Sequence, residues 1–393
     1  MRILFYFDHQ INPERGGTER ATDVLAHAFL EKGHITFYMA RYKEYPIGDI
    51  PIFFLPQPQE VASSDNISFV EYVANTENID VIVNQGTNGN DIYLFNRHTL
   101  NVRSAIVSCL HFSVYEGLNY FSQLTPYVFS LVKPWETCMS CLRWLKQPYN
   151  QRKAMQGKRK RFSFIYEHSD AVVVLSPSYI EDYVKVACLS DLEKLYSFPN
   201  PVSFSMKKRV NEQNKEKEIL FVGRLSYSEK RVDRLLAAWR LIHLRHPDWR
   251  LSIVGDGPDR ARLESLVRKW NLQRVTFWGY QSPLPFYQKA SIFCLASTHE
   301  GLPMVLIEAM QNQTVPIAFD SFGAAHDMIQ SGRNGILVSP FNIKVYALAM
   351  EELMRNAAGR VQMGKQAYVD VVERYDRSKI VERWIDFLMK LKS

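Results

Sequence analysis

The sequence predicts an α/β fold built as two parallel-sheet domains. Three observations carry that expectation. Short β-rich runs alternate with segments of 3.6-residue apolar spacing, the pattern of parallel sheets covered by helices. The alternation restarts near residue 218, after a proline-flanked turn and a polar stretch. The chain has 393 residues, which at roughly 100–200 residues per domain is enough for two or three domains.

The elements follow in order. Residues 2–7 (RILFYF) read as the first strand. From Thr18 onward Ala21, Val24, Leu25, Ala28 and Phe29 keep helical spacing, and Gly33 stands where a helix C′ residue belongs. Further strands read at 35–39, 79–83, 104–109 and 170–175. Phe198-Pro199-Asn200-Pro201 makes a stiff turn, and a polar stretch, 205–217, follows it. The second half opens with strand 218–223 and a helix with Val232, Leu235, Leu236, Trp239 and Ile242 on one face. Strands at 249–254, 274–278, 291–296 and 314–319 come next. A helix with Leu263, Leu266, Val267 and Trp270 lies between the first two of these, and another starts near Pro303. Ile380, Trp384, Phe387 and Leu388 mark a last helix, 378–393.

Composition narrows the class. Apolar residues at 46% and aromatics at 13% supply ample burial, which excludes a disordered chain. The N-terminal apolar run is too short for a secretory signal, and no run of 18 apolar residues exists, so a cytoplasmic protein without a membrane span is expected. Five cysteines do not form a disulfide framework, and Cys138-x-x-Cys141 lacks the second ligand pair that zinc needs. Both read as ordinary thiols, and no metal site is expected. The net charge of +7 is uneven. Residues 204–393 carry +9 and residues 143–161 carry +8, while the rest is acidic by 10. No helix-turn-helix, zinc-finger or RNA-binding motif accompanies the basic run, so no nucleic-acid partner is expected.

Three constellations carry chemistry. Gly16-Gly17 precede the first helix, where backbone N–H groups and the helix dipole favour an anion. The dinucleotide pattern GxGxxG and the P-loop are absent there. Gly223-Arg224 end the first strand of the second half, and Lys230 follows near the next helix. An Arg at a strand's C-terminal end faces the ligand crevice of an open sheet, and its fork suits phosphate oxygens. Third come Glu300-Gly301-Leu302-Pro303 and then Glu308, with Pro303 suited to helix position N1. Eight helical residues rise about 12 Å, too far for a glycosidase carboxylate pair. The two glutamates fit better as acceptors for hydroxyls on two parts of an extended ligand.

Together these residues resemble the retaining GT-B glycosyltransferases of glycosyltransferase family 4. The matching stretches are Asn12-Pro13 to Arg20, Leu175-Ser176-Pro177-Ser178, Pro199 to Val202, Phe221 to Leu225 with Lys230, Val254 to Pro258, Phe277 to Tyr280, and Glu300 to Glu308. The resemblance implies two Rossmann-like domains facing a cleft. Residues 1–200 would bind the acceptor and residues 201–377 the donor, with helix 378–393 packing back on the first. It implies sugar transfer from a nucleotide-diphosphate sugar, with no metal and no cofactor. Gly17 and the amides around Gly301, Leu302 and Pro303 would cradle phosphate, beside Gly16 and Gly223. Arg224 and Lys230 would hold the diphosphate, Glu300 the sugar hydroxyls, Glu308 the ribose, and the backbone at Tyr280 the base. His111 would lie near the reacting sugar or the acceptor; His299 and His326 are weaker candidates. Where the family has a Gly before its Val-Pro strand, this chain reads Asn312-Gln313-Thr314-Val315-Pro316, so Asn312 is expected to turn left-handed.

The acceptor side centres on residues 111–165, rich in aromatics such as Phe112, Tyr115, Tyr120, Phe121, Tyr127, Phe129, Trp135 and Trp144. From Arg143 to Arg161 there are eight Lys/Arg and no Asp/Glu. That composition suits a peripheral position on an anionic membrane, beside a saccharide or lipid-linked saccharide acceptor. Two other readings share the architecture: a nucleotide-sugar epimerase, and a non-enzymatic two-domain sugar-binding protein.

Overall fold

A computed structural model of the chain describes residues 1–14, 16–116, 118, 134–202 and 215–392. Tyr120, Phe121, Tyr127, Phe129 and most of the polar stretch 205–217 lie outside them. Two compact units result: Met1–Val114 with Gln156–Ser203 and Tyr375–Ser393, and Tyr115–Met155 with Phe204–Arg374. The sequence reading divides the chain at 200/201 and 377/378 and leaves 115–155 in the first domain. That segment instead groups with the second unit. The reason is the helix Pro134–His168, whose 35 residues run for about 50 Å at 1.5 Å per residue. Only its last turns bury side chains, Phe162 and Ile165, in the first unit.

In the first unit the strands are β1 (Arg2–Phe7), β2 (Ile35–Ala40), β3 (Ile52–Phe54), β4 (Val81–Asn84), β5 (Ala105–Leu110), β6 (Ala171–Val174) and β7 (Leu195–Ser197). They form one parallel sheet in the order β3-β2-β1-β4-β5-β6-β7. The three-residue strands β3 and β7 escape a periodicity reading because they are too short to show one. Helices on both faces explain why β4 and β5 are buried at every position. Gly33 ends the first helix with φ +82°, as its sequence position predicts. The last helix, Arg377–Lys392, packs in this unit: Trp384 lies 4.9 Å from Phe198 and Phe387 4.5 Å from Tyr196, centroid to centroid.

The second unit's strands are β8 (Glu216–Val222), β9 (Arg250–Val254), β10 (Val275–Gly279), β11 (Ala290–Leu295), β12 (Val315–Phe319) and β13 (Ile336–Val338). They too are all parallel, in the order β10-β9-β8-β11-β12-β13. One core unites Ile219, Phe221, Ile253 and Ile317 with Leu235, Leu236, Trp239 and Ile242 of helix Val232–Ile242. The strand order reverses direction between β8 and β11. Ligands of open α/β sheets bind outside the carboxyl ends of the strands at such a switch point.

Candidate functional site

Gly223, Arg224, Lys230 and Glu300 lie around the switch point of the second unit. β8 ends at Val222, and Gly223-Arg224 follow it directly. β11 ends at Leu295 and delivers the loop that carries Glu300. Lys230 precedes helix Val232–Ile242, behind Arg231, which caps that helix in a left-handed conformation (φ +48°).

Two of these residues touch. Lys230 Nζ donates to both carboxylate oxygens of Glu300, at 2.6 and 2.8 Å. Ser297 Oγ donates to Glu300 Oε1 at 2.6 Å. Glu300 is 9% exposed and the Lys230 side chain 20%, so the pair is shielded without being sealed. Arg224 is different. It is exposed, and among the described residues its guanidinium takes no hydrogen-bond partner. One cation of the expected phosphate pair is engaged by a carboxylate, and the other is an open fork.

The loop carrying Glu300 is tied down on several sides. Thr298 N donates to Glu229 O at 2.8 Å, and Ser321 Oγ donates to Ser297 O at 3.0 Å. Arg234, buried on the first turn of helix Val232–Ile242, donates from Nη1 to Ala296 O (3.2 Å) and Thr298 Oγ1 (3.3 Å). Its guanidinium lies 3.8 Å from the ring centre of Phe341. Burial lowers its pKa to about 9. The sequence reading missed Arg234, Ser297 and Thr298. The only local signal was a polar run, Ser297-Thr298-His299, after a fully buried strand.

Backbone packing fixes Arg224. Leu225 N donates to Asp256 O at 2.9 Å, and Asp259 N donates to Leu225 O at 3.2 Å, so the loops after β8 and β9 lie on each other. A Cβ at Gly255 would fall 2.1 Å from Gly223 O, and one at Gly257 2.5 Å from Leu225 O. Any side chain at either position would push the loops apart.

Three local expectations change. Pro303 is the N-cap of helix Met304–Gln311 rather than its N1 residue, with extended backbone (φ −71°, ψ 100°). Asn312 is not left-handed (φ −98°); Gln313 takes that conformation (φ +56°), while Asn312 Nδ2 donates to Glu308 O at 2.9 Å. That side-chain bond satisfies a helix-end carbonyl and passes the reversal to the next residue. Glu308 is only 1% exposed and accepts from Tyr287 Oη at 3.1 Å. The two glutamates therefore have different partners and different access to solvent.

Gly301 is half-buried and Leu302 buried at the start of the same helix. Tyr280 follows β10 and is exposed. His299 Nε2 lies 3.3 Å from Glu116 Oε1, and His326 Nε2 lies 2.6 Å from Asp320 Oδ1.

Gly16, Gly17 and His111 lie in the first unit. Gly17 is the first residue of helix Gly17–Glu31, and Gly16 is its extended N-cap. Glu19 turns back over that N-terminus, so a Cβ at Gly16 would meet Glu19 Oε2 at 2.7 Å. His111 follows β5, and its Nε2 is hydrogen-bonded to Gln85 Oε1. With that oxygen accepting, Nε2 carries the proton and Nδ1 is a bare acceptor. Nδ1 is buried and has no partner among the described residues. Burial pushes the His111 pKa down to about 4, so the ring is neutral at physiological pH.

A parallel-sheet domain here carries an exposed Arg, a Lys–Glu pair and glycine-packed loops at its switch point, and the two units have the GT-B fold. Residues 203–370 match the family glycosyl transferases group 1. The amylovoran biosynthesis glycosyltransferase AmsD of Erwinia amylovora is 25% identical over 386 residues, which cover 95% of this chain and 96% of that protein. An uncharacterized glycosyltransferase of Haemophilus influenzae is 30% identical over 213 residues, 51% of this chain and 60% of that protein's length. Anabaena HepE in complex with UDP superposes with a TM-score of 0.73 at 16% identity, covering 99% of this chain and all of that one.

Proposed function

We propose that the protein is a retaining glycosyltransferase of family 4. It moves a sugar from a nucleotide-diphosphate sugar to a saccharide or lipid-linked saccharide acceptor, in the assembly of a cell-surface polysaccharide or glycolipid. The carrying observation is the pairing of Lys230 with Glu300 beside the open fork of Arg224 at the switch point of the second sheet. The amylovoran relative, matched over nearly its whole length, supports the setting. The UDP complex of the fold neighbour supports a nucleotide donor.

The roles follow from charge. Cleaving a glycosyl–diphosphate bond leaves negative charge on the departing oxygen. Fixed cations aimed at it stabilise the transition state more than the ground state. Arg224 and Lys230 supply those cations. Backbone amides at Gly17, Gly223 and Gly301 to Leu302 add neutral donors to the phosphates, beside Gly16 and Pro303. Glu300, shared between Lys230 and the sugar, accepts from donor hydroxyls. Glu308 holds the ribose and the backbone at Tyr280 the base. His111, neutral at the carboxyl end of β5, lies near the reacting sugar or the acceptor. The acceptor attacks from the face the phosphate leaves, which retains configuration, and the departing phosphate takes its proton. Neither a metal nor a cofactor takes part. The enzyme works on the cytoplasmic face of the membrane, held there peripherally; no described helix is long and apolar enough to cross one.

The test is a panel of nucleotide sugars screened by thermal shift. The stabilising donor is then incubated with saccharide and lipid-linked acceptors, and the product's anomeric configuration is read by NMR, with and without chelator. Axial product from an axial donor, unchanged by chelation, is expected. Inverted product, or turnover that needs no acceptor, defeats the reading, the latter in favour of epimerisation.

A further inference from the structure

The helix Pro134–His168 has a solvent side that the reaction does not use. Its inward line is Ser140, Gln147, Gln151, Ala154 and Lys158, at helical spacing, buried or half-buried. Opposite this line run Trp135, Met139, Leu142, Leu145 and Tyr149, spaced by four, three, three and four residues. On a helix of 3.6 residues per turn that spacing keeps them on one face. All five are exposed, Trp135 at 73%, Leu145 at 65% and Tyr149 at 67%.

The same face continues in a different chemistry. Lys146, Lys153 and Lys160 recur every seven residues along it, all exposed. Arg143, Arg152 and Arg159 flank them, also exposed. Two members of the basic run are occupied elsewhere: Lys158 Nζ donates to Val114 O at 3.0 Å, and Arg161 donates to Asn88 O. The outward face is thus apolar and aromatic over its first four turns and cationic over the next three.

We infer that this face docks on an anionic lipid surface, with Trp135, Leu142, Leu145 and Tyr149 in the headgroup region and Lys146, Lys153 and Lys160 against the lipid phosphates. Charge decides between the candidate occupants. Residues 143–161 hold eight Lys/Arg and no Asp/Glu, so a second copy of this face would meet like charge, whereas an anionic bilayer offers both an apolar interior and opposite charge. Trp and Tyr are the aromatic residues that settle at a membrane interface, one end apolar and the other wet. The inference deepens the peripheral setting proposed above and is independent of which sugar moves.

The experiment is flotation of the full chain with phosphatidylglycerol-rich vesicles and with phosphatidylcholine vesicles, at low and moderate salt. Binding to the anionic vesicles only, weakened by salt, is expected. Three variants resolve the face: Leu142→Ser with Leu145→Ser; Lys146→Glu with Lys153→Glu and Lys160→Glu; and Arg240→Glu as a control on another helix. Each lysine near an anionic surface contributes about fivefold to partitioning, so the triple reversal lowers it at least about 100-fold. The control binds as wild type. Nucleotide release with a water-soluble acceptor is followed in parallel and stays at the wild-type rate in all three variants. Equal flotation of the triple reversal and wild type, no binding to anionic vesicles at low salt, or a wild-type dimer that the serine pair dissolves each overturns the inference. Loss of nucleotide release in the wild type would instead defeat the transferase reading and leave this one standing.

Discussion

Lys230 Nζ lies 2.6 and 2.8 Å from the two carboxylate oxygens of Glu300, while Arg224, six residues earlier in the chain, holds no partner among the described residues. The two cations expected on one diphosphate therefore have different duties. In the proposed reaction Lys230 would also orient the carboxylate that meets the sugar, leaving Arg224 to act on phosphate alone. Alanine at either position is expected to lower turnover by about 10²–10³, the usual cost of removing one donor from a developing charge. Stability separates them. Arg224→Ala leaves Tm unchanged, whereas Lys230→Ala leaves a 9%-exposed carboxylate without its cation, though still bonded by Ser297, and costs about 1–3 kcal/mol. Steady-state kinetics and thermal melts on both variants decide this. Near-normal turnover at saturating donor would sink the catalytic assignment.

Arg234 never reaches solvent in quantity, yet it binds the loop that delivers Glu300, through Ala296 O and Thr298 Oγ1. Removing a buried guanidinium leaves both acceptors unsatisfied and opens space against Phe341. Arg234→Met is expected to raise the donor KM and to destabilise by about 2–4 kcal/mol. Arg234→Lys keeps a donor but loses the planar stack on Phe341, and recovers only part of either. A Met variant with wild-type KM and a lowered Tm would reduce Arg234 to a core residue.

The loop after β9 tolerates no side chain where it crosses the loop after β8. Gly257→Ala places a Cβ 2.5 Å from Leu225 O and 2.7 Å from its N, and backbone must move. The expected cost is about 1–3 kcal/mol with weaker donor binding, because Arg224 moves with Leu225. Gly16→Ala is the contrast. Its nearest neighbour is the carboxylate end of Glu19, which swings away, so stability is expected to hold within about 0.5 kcal/mol. Paired melts and nucleotide-binding titrations compare the two.

His111 is neutral through the working range, with its pKa near 4. The pH profile of turnover is expected to show no limb near 6.5, the ordinary histidine value. His111→Asn retains a hydrogen-bonding side chain and is expected to keep more activity than His111→Phe. A histidine limb present in the wild type and absent in both variants would show that the ring titrates during turnover.

Much of this was legible in the chain itself. β4, β5 and β6 read directly as apolar runs because strands buried on both faces need no alternation. The position of Gly223-Arg224 at a strand end was legible because a strand end followed by Gly-Arg is a local signal. What escaped is whatever depends on two strands being neighbours. Gly255 and Gly257 were legible only as matching loops, since their purpose appears once β9 lies beside β8. Arg234 sits on an amphipathic helix where spacing predicts a partly exposed residue, and only tertiary contact with the β11 loop explains its burial. The turn at Asn312 and Gln313 was placed one residue early, because the Asn side chain bonds Glu308 O instead of forming the turn.

Glu308 is held through Tyr287, and Tyr287 in turn through Lys215. Lys215 Nζ donates to Tyr287 O, Ala290 O and Thr314 Oγ1, each at 2.8 Å. All three are uncharged acceptors, so no counter-charge offsets the desolvation of the ammonium, and burial lowers its pKa from 10.5 to about 7. The unfolded chain, with an ordinary lysine, then binds more protons than the native one between those two values. Stability must rise with pH across that window, at most about 1.4 kcal/mol per pH unit from this residue, and the penalty is fully present below pH 7. Lys215→Met removes the titrating group and keeps the length of the side chain. Urea unfolding at pH 7, 8 and 9 is expected to show a rising stability in the wild type and a flatter one in the variant. Parallel slopes would mean that Lys215 titrates as an exposed lysine does. The result bears on function because the carboxylate assigned to the ribose is anchored at the far end of this chain of bonds.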